Sequence, residues 1–257
     1  MIPSALEHLE DISGRGGAIA VFLDYDGTLT PIVSRPQNAF LSDSTRQVVR
    51  TLSERVPVAI LSGRDLDDVR LRVGIDGIVY AGSHGFDIAG PGGLRRELGA
   101  ASLPKLEATE KELHESLAGI AGAQVERKHF SIAAHYRNVD EKDVPALQRA
   151  VDEIAARHGD LRKINGKKVH ELLPAIHWDK GKAVLWLLET LGIHRDNARP
   201  IYIGDDRTDE DAFCALEGSG IGILVSKQPQ RTAARYSLKN PAEVERFLVE
   251  LIARLPA

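Results

Sequence analysis

Five short apolar runs, none broken by regular polar alternation, constrain this chain more than any other feature. They occupy residues 18–23, 56–61, 77–81, 200–203 and 220–225. A strand with one wet face alternates apolar and polar residues, whereas a strand covered on both faces has no reason to. Between or after most of the runs lie stretches of helical periodicity. Residues 42–55 set Val48, Val49 and Leu52 on one stripe, and residues 181–191 do the same with Ala183, Val184, Leu187, Leu188 and Leu191. Residues 209–216 and 241–255 complete the set. Buried strands alternating with amphipathic helices predict a parallel sheet wound on both sides.

The middle of the chain reads differently. Residues 103–122 form a helical pattern rich in Glu and Lys, and "VERKHFSIAAHYR" at 125–137 reads as a strand pair or one long strand. Residues 144–158 are again helical, and 161–173 are strand-like with "NGKK" as a turn. The expected fold class is therefore α/β: a doubly wound parallel-sheet (Rossmann-like) core, residues 1–102 and 177–257, with an α+β domain inserted at 103–176.

A chain of 257 residues, 43% hydrophobic, has enough apolar matter for such a core and an insert. Its net charge of −4 provides no basic field to draw nucleic acid or an anionic membrane, so neither partner is expected. The single cysteine, Cys214, excludes an intramolecular disulfide and reads as a small core residue on a helix face. No apolar stretch approaches the roughly 20 residues of a membrane span. The opening "MIPSALEHLEDISGRGG" lacks the basic end and apolar core of a secretion signal, so a soluble, cytoplasmic monomer is expected.

Chemistry gathers where the apolar runs stop. The first ends in "DYDGTLTP", which places Asp24 and Asp26 at the mouth of the core. Ligands of open parallel sheets bind beyond the carboxyl ends of the strands. Alternate residues of an extended segment share a side, so the two carboxylates are expected to face one reacting centre, as nucleophile and acid/base. Like charges so close need a cation between them or a shared proton. The second run ends in "LSGRD", where the Ser62 hydroxyl and nearby N–H groups suit a phosphate oxygen. The fourth ends in "IGDDRTDEDAF", whose Asp205, Asp206 and Asp209 offer the hard oxygens that Mg²⁺ prefers. Glu210 and Asp211 suit the start of the following helix instead. In "WDKG", Lys180 is a point charge able to neutralise phosphate.

"DYDGTLT", "SGR", "DKG" and "GDDRTDED", in that order, resemble the haloacid dehalogenase superfamily of aspartate-nucleophile phosphotransferases. The resemblance implies that Asp24 attacks phosphorus, that Asp26 protonates the leaving oxygen and later deprotonates water, and that Ser62 and Lys180 bind the phosphoryl group. It also implies Mg²⁺ held by Asp24, the Asp26 carbonyl and Asp205, with Asp209 nearby and Asp206 in support. The insert falls where that superfamily carries a substrate-specificity cap. "AGSHGF", "ERKHFSIAAHYRN" and "GKKVHELLP" are similar to the trehalose-6-phosphate phosphatases, which implies a small sugar phosphate as substrate. On that likeness Lys128, Lys167 and Glu171 read sugar hydroxyls, Arg137 supports the cap, and Ser83 and His84 lie on a loop that contacts substrate. In "KKVHE", Lys167, Val169 and Glu171 are expected on one strand face, Lys168 and His170 on the other, and His135 is expected to be structural. Hinges are expected near residues 98–104 and 174–178. The rival readings are a phosphatase for another sugar phosphate, such as sucrose 6-phosphate, and a catalytically silent sugar-phosphate sensor.

Overall fold

The computed structural model describes residues 2–14, 18–194 and 198–255. The chain opens with α1 (Leu9–Ser13), β1 (Ala18–Asp24), α2 (Asp43–Ser53), β2 (Val58–Leu61), α3 (Leu66–Val73), β3 (Val79–Gly82), β4 (Asp87–Ala89) and β5 (Arg95–Glu97). Next come α4 (Leu103–Leu117), β6 (Gln124–Arg127), β7 (Ile132–His135), α5 (Val144–Arg157), β8 (Leu161–Gly166) and β9 (Val169–Pro174). It closes with α6 (Lys180–Thr190), β10 (Ala198–Gly204), α7 (Glu210–Ala215), β11 (Ile221–Val225), β12 (Tyr236–Leu238) and α8 (Pro241–Ile252). These elements form two compact units, Met1–Arg95 with Trp178–Ala257, and Arg96–His177.

The first unit is built on an eight-stranded sheet in the order β12-β11-β10-β1-β2-β3-β4-β5. It is parallel from β12 to β3, and β4 returns antiparallel to β3. The α/β core expected from the unalternating runs is present, and each run becomes a buried strand. Val21, Leu23, Ile60, Ile201, Ile203 and Ile223 pack with Val49 and Leu52 of α2 and Phe247 and Leu251 of α8. Each such side chain contributes about 1.5–3 kcal/mol on burial. The helix ends are chemically marked: Ser42, Asp179 and Asn240 accept the backbone N–H of Thr45, Lys182 and Glu243, each cap contributing about 1 kcal/mol. Cys214 departs from expectation. On α7 the inward positions are taken by Ala212 and Phe213, which leaves the thiol exposed. Among the described residues no helix is long and apolar enough to cross a membrane.

The second unit is a four-stranded antiparallel sheet, β6-β7-β9-β8, whose one face packs on α4 and α5 through Leu106, Leu113, Ile132, Leu147, Val151, Ile154 and Leu172. The stretch 125–137 is thus a strand pair. Gly166 pairs with Val169, so Lys167 and Lys168 are the two-residue loop of the β8–β9 hairpin, Lys168 with φ +65°. Lys167 therefore does not share a strand face with Val169 and Glu171, because the turn claims it before the pleat begins.

His170 is expected to give this unit a pH dependence. Its ring is buried, stacks on Tyr136 at 4.8 Å between centroids, and meets Asn165 Oδ1 at 2.6 Å. Burial, and then Lys163, hold it below the ordinary imidazole value of 6.5, against the pull of Asp152. The unfolded chain takes up a proton below that value while the folded one resists it, so stability is full above about pH 6.5 and falls as pH drops below it. Thermal melts across about pH 7.5 to 5.5 are expected to show this decline, and His170→Gln to flatten it. An unchanged slope in the variant assigns the effect elsewhere.

Candidate active site

Strand order reverses at β1. The chain moves outward from β1 to β2 and β3 on one side, then returns to fill β10, β11 and β12 on the other. Such a switch point leaves a crevice at the carboxyl ends of the strands. The register fills it: Asp24 pairs with Leu61, just before Ser62, and Leu23 pairs with Ile203, two residues before Asp205. The loop after β1 lies so close to β10 that a Cβ on Gly27, at φ +91°, would sit 1.9 Å from Asp205 Oδ2. A glycine there is what lets the acidic loops meet.

Lys180, the first residue of α6, is 2% exposed and donates to Asp24 Oδ1 and Asp209 Oδ1, both at 2.7 Å. Sequence reading treats a lone lysine as a solvated group unless chemistry claims it; here it is the counter-ion of a buried cluster. Carboxylate oxygens of Asp24, Asp205 and Asp209 all lie within 4.8 Å of one another. Burial pushes the Asp24 carboxyl well above the usual range; Lys180 pulls it down, and Asp209 and Asp205 push it up again. Burial also opposes the charge on Lys180, yet Asp209 and Asp24 hold its ammonium well above the ordinary lysine value. Three carboxylates against one ammonium leave an excess of negative charge, and the buried Asp24 Oδ2 has no hydrogen-bond partner. An orphaned anionic oxygen among hard-oxygen neighbours fits a divalent cation.

Asp209 is differently occupied. Its Oδ1 accepts from Lys180 and from the Tyr202 hydroxyl at 2.7 Å, and its Oδ2 accepts the N–H groups of Asp205 and Asp206 at 3.0 and 2.9 Å. Four donors fill both oxygens. Asp209 thereby fixes the turn that presents Asp205, and it orients Lys180. Asp206 caps the same turn through Arg207 N–H.

Asp26 lies just past the end of the strand. The strand stops at Asp24, and the Tyr25 carbonyl accepts from the N–H groups of Leu29 and Thr30, which turns the chain. The Asp26 carboxylate is held from the other side by Arg64, Nε to Oδ2 and Nη2 to Oδ1, each at 2.7 Å. Ser62, buried, accepts the Arg64 N–H on its Oγ at 3.1 Å, which leaves its O–H to donate. The "SHG" loop is fastened to the same segment: Ser83 N–H donates to the Arg64 carbonyl and His84 N–H to the Ser62 carbonyl. Both Ser83 and His84 adopt positive φ, 47° and 58°, an unfavourable backbone for two adjacent non-glycine residues that marks functional loops.

In the second unit Lys128 Nζ donates to Glu171 Oε1 at 2.8 Å, and Ser131 Oγ donates to the same oxygen. Glu171 is buried, on the strand face opposite Leu172. Arg137 donates to the Lys167 carbonyl at 2.8 Å, and His135 pairs with Glu126 Oε2 at 2.7 Å, as a structural histidine would. The residues that sequence reading passed over are Arg64, Tyr202 and Ser131. Arg64 lay inside a motif already singled out, but nothing local names its partner.

The family model described as trehalose-phosphatase matches residues 22–242. A probable trehalose-phosphate phosphatase D of Arabidopsis thaliana is 45% identical over 265 residues, covering 97% of this chain and 72% of its own. The trehalose 6-phosphate phosphatase RA3 of Zea mays is 44% identical over 268 residues, covering 97% and 74%. The solved C-terminal domain of a C. albicans trehalose-6-phosphate phosphatase shares the fold, with a TM-score of 0.88 at 24% identity and 100% of both chains covered.

Proposed function

The chain belongs to the trehalose-phosphatase family, and from that premise we propose that it hydrolyses trehalose 6-phosphate to trehalose and orthophosphate through a phosphate ester on Asp24. The observation that carries the reading is the partnerless Asp24 Oδ2, buried at the end of the central strand among two further carboxylates and one ammonium. Lys180 holds the other oxygen, Oδ1, so the carboxylate is fixed at the strand end with room for a cation beside it and for phosphorus in front.

In the first step an Asp24 oxygen bonds to phosphorus as the P–O bond to the sugar O6 breaks. Asp26 passes a proton to the departing alkoxide, so trehalose leaves as a neutral alcohol. In the second step water bonds to the same phosphorus, its proton goes to Asp26, and the bond to Asp24 breaks to release orthophosphate. Lys180 is already 2.7 Å from Asp24 and balances charge as it builds on the equatorial phosphoryl oxygens. Ser62 O–H donates to one of those oxygens. Asp24, Asp205 and the Asp26 carbonyl would hold Mg²⁺, which supplies charge neutralisation of the phosphoryl group when bound. Asp209, with both oxygens taken, serves as their support.

Phosphate release from trehalose 6-phosphate, sucrose 6-phosphate, glucose 6-phosphate and p-nitrophenyl phosphate, with Mg²⁺ and after chelation, tests the reading. Trehalose 6-phosphate is expected to lead, and chelation to stop turnover. Preference for sucrose 6-phosphate would reassign the substrate, and no turnover of any ester would leave a sensor.

Lys128 and Glu171 are proposed to read the sugar, with Arg137 bracing the Lys167 turn, and Ser83 and His84 as further substrate contacts. A hydroxyl bonded to a buried carboxylate contributes about 1.5–3 kcal/mol, so Glu171→Ala is expected to lower kcat/KM for trehalose 6-phosphate roughly 10- to 100-fold. The same variant should leave p-nitrophenyl phosphate nearly untouched. Equal losses on both esters would show that Glu171 does not read sugar.

A further inference from the structure

Arg64 is buried to 9% exposure and spends four of its N–H groups on defined partners. Nε and Nη2 clasp the two Asp26 oxygens; Nη1 reaches Asp68 Oδ2 at 2.9 Å, and Nη2 also reaches the Pro36 carbonyl at 2.8 Å. The guanidinium carbon lies 5.4 Å from the centre of the Tyr25 ring. Asp68 is held in turn by Arg72 Nε at 2.8 Å, and Arg72 Nη1 donates to the carbonyls of Gln37 and Ala39 at 3.1 Å. Two arginines and two aspartates thus form one chain of alternating charge, and Asp26 is its terminal member.

That position matters chemically. A two-pronged bond fixes both the rotation and the plane of a carboxylate, which a single donor cannot do. One lone pair on each Asp26 oxygen stays outside the clasp, and the side chain keeps 39% of its surface exposed. A proton on Asp26 takes one of those free lone pairs, so the clasp need not open, and the oxygen that carries it only accepts more weakly. Arg64 tolerates that weakening because Asp68 still neutralises it, so no buried cation is left alone. An arginine with Asp26 as its sole carboxylate would resist the same step.

We propose that Arg64 is the positioning residue of the acid/base Asp26, holding its carboxylate plane for proton transfer to the leaving sugar oxygen and from the attacking water, with Asp68 keeping the guanidinium compensated throughout. This rests on the acid/base reading of Asp26 given above. Its signature follows from the leaving group. The sugar alkoxide needs a proton as the P–O bond breaks, whereas p-nitrophenolate departs without one. Loss of Arg64 therefore separates the two esters, while a merely structural arginine affects both alike.

The experiment compares kcat/KM for trehalose 6-phosphate and p-nitrophenyl phosphate in the full chain with Mg²⁺, for wild type, Arg64→Met, Arg64→Lys, Asp26→Asn and the Arg64→Met/Asp26→Asn double variant. General acid catalysis contributes about 10²–10⁴-fold, and misplacing the acid is expected to forfeit about 30-fold of it on the sugar ester and under about 3-fold on the aryl ester. The ratio of the two values does not depend on how much protein folds. Arg64→Lys, whose ammonium cannot span both oxygens, is expected to shift the ratio in the same direction. In the Asp26→Asn background, Arg64→Met should leave the ratio where Asp26→Asn alone put it. An unchanged ratio in both Arg64 variants, or a full further shift in the double variant, overturns the inference while Asp26 keeps its role. An Asp26→Asn variant that loses both esters equally removes the acid role itself, and the inference with it.

Discussion

Asp24→Asn is expected to cut turnover of trehalose 6-phosphate by at least about 10⁴-fold, as removal of a nucleophile does, without weakening the fold. The amide has the same shape, but its oxygen cannot form a phosphate ester that water then releases. Stability moves the other way. Asp24 is buried beside Asp205 and Asp209 with Lys180 as the counter-charge, and burial already pushes its carboxyl well above the usual range. Removing one of three crowded anions relieves repulsion, while Lys180 keeps Asp209 at 2.7 Å. In chelated buffer the variant should melt no lower than the wild type. Phosphate release and a thermal melt on the same preparation check both halves. Turnover within tenfold of wild type would mean another nucleophile, and a lowered melting point would mean that the Lys180–Asp24 pair outweighs the crowding.

Lys180→Met should produce the largest loss of stability. The change leaves Asp24 and Asp209, both buried, without their ammonium. Removing one partner of a buried ion pair costs about 3–5 kcal/mol, because the other charge stays behind uncompensated. For a chain of this size each kcal/mol moves the melting point by roughly 2–4 °C, so a fall of about 10 °C is expected in metal-free buffer. Divalent cation should narrow the gap, since it restores positive charge to the same carboxylates. A variant whose melting point is unchanged without metal would show that the cluster is not the charged, dry group its burial indicates. Activity should fall too, but the thermal response to metal separates lost charge balance from lost substrate binding.

What the sequence disclosed and what it hid divide along physical lines. Unalternating runs at residues 18–23 and 200–203 announce strands covered on both sides, and a carboxylate just past such a run belongs to a strand end; Asp24 and Asp205 were legible for that reason. β4, β5 and β12 have three residues each, too few for any period to register. The α3 helix was given no bounds, because Leu66, Val69 and Val73, its buried residues, follow a motif read for its strand end and helix start rather than for the period beyond them. Arg64 and Tyr202 act through partners 38 and 7 residues away, and Tyr202, in the middle of an apolar strand, reads as packing. Counting carboxylates in "GDDRTDED" could not distinguish Asp205 from Asp209, since the difference lies in the donors that surround each. Lys167 was misplaced by extending a strand period past the point where a turn ended it, and Cys214, inside α7, by assigning inward a face that Ala212 and Phe213 take instead.

The pairing of Leu23 with Ile203 joins residues separated by about 180 positions in the chain. A ribosome working at about 5–20 residues per second makes the first of these strands on the order of 10–40 s before the second. For that interval the nascent polypeptide displays one open flank of an interior strand, Ala18–Asp24, with only β2 available to the other. Unpaired edges of this kind invite association with neighbouring chains. A polypeptide arrested before Asp205 carries Asp24 on an unfinished sheet, so the stretch from β10 onward delivers both the partner that shields the strand and the carboxylates that gather around Asp24.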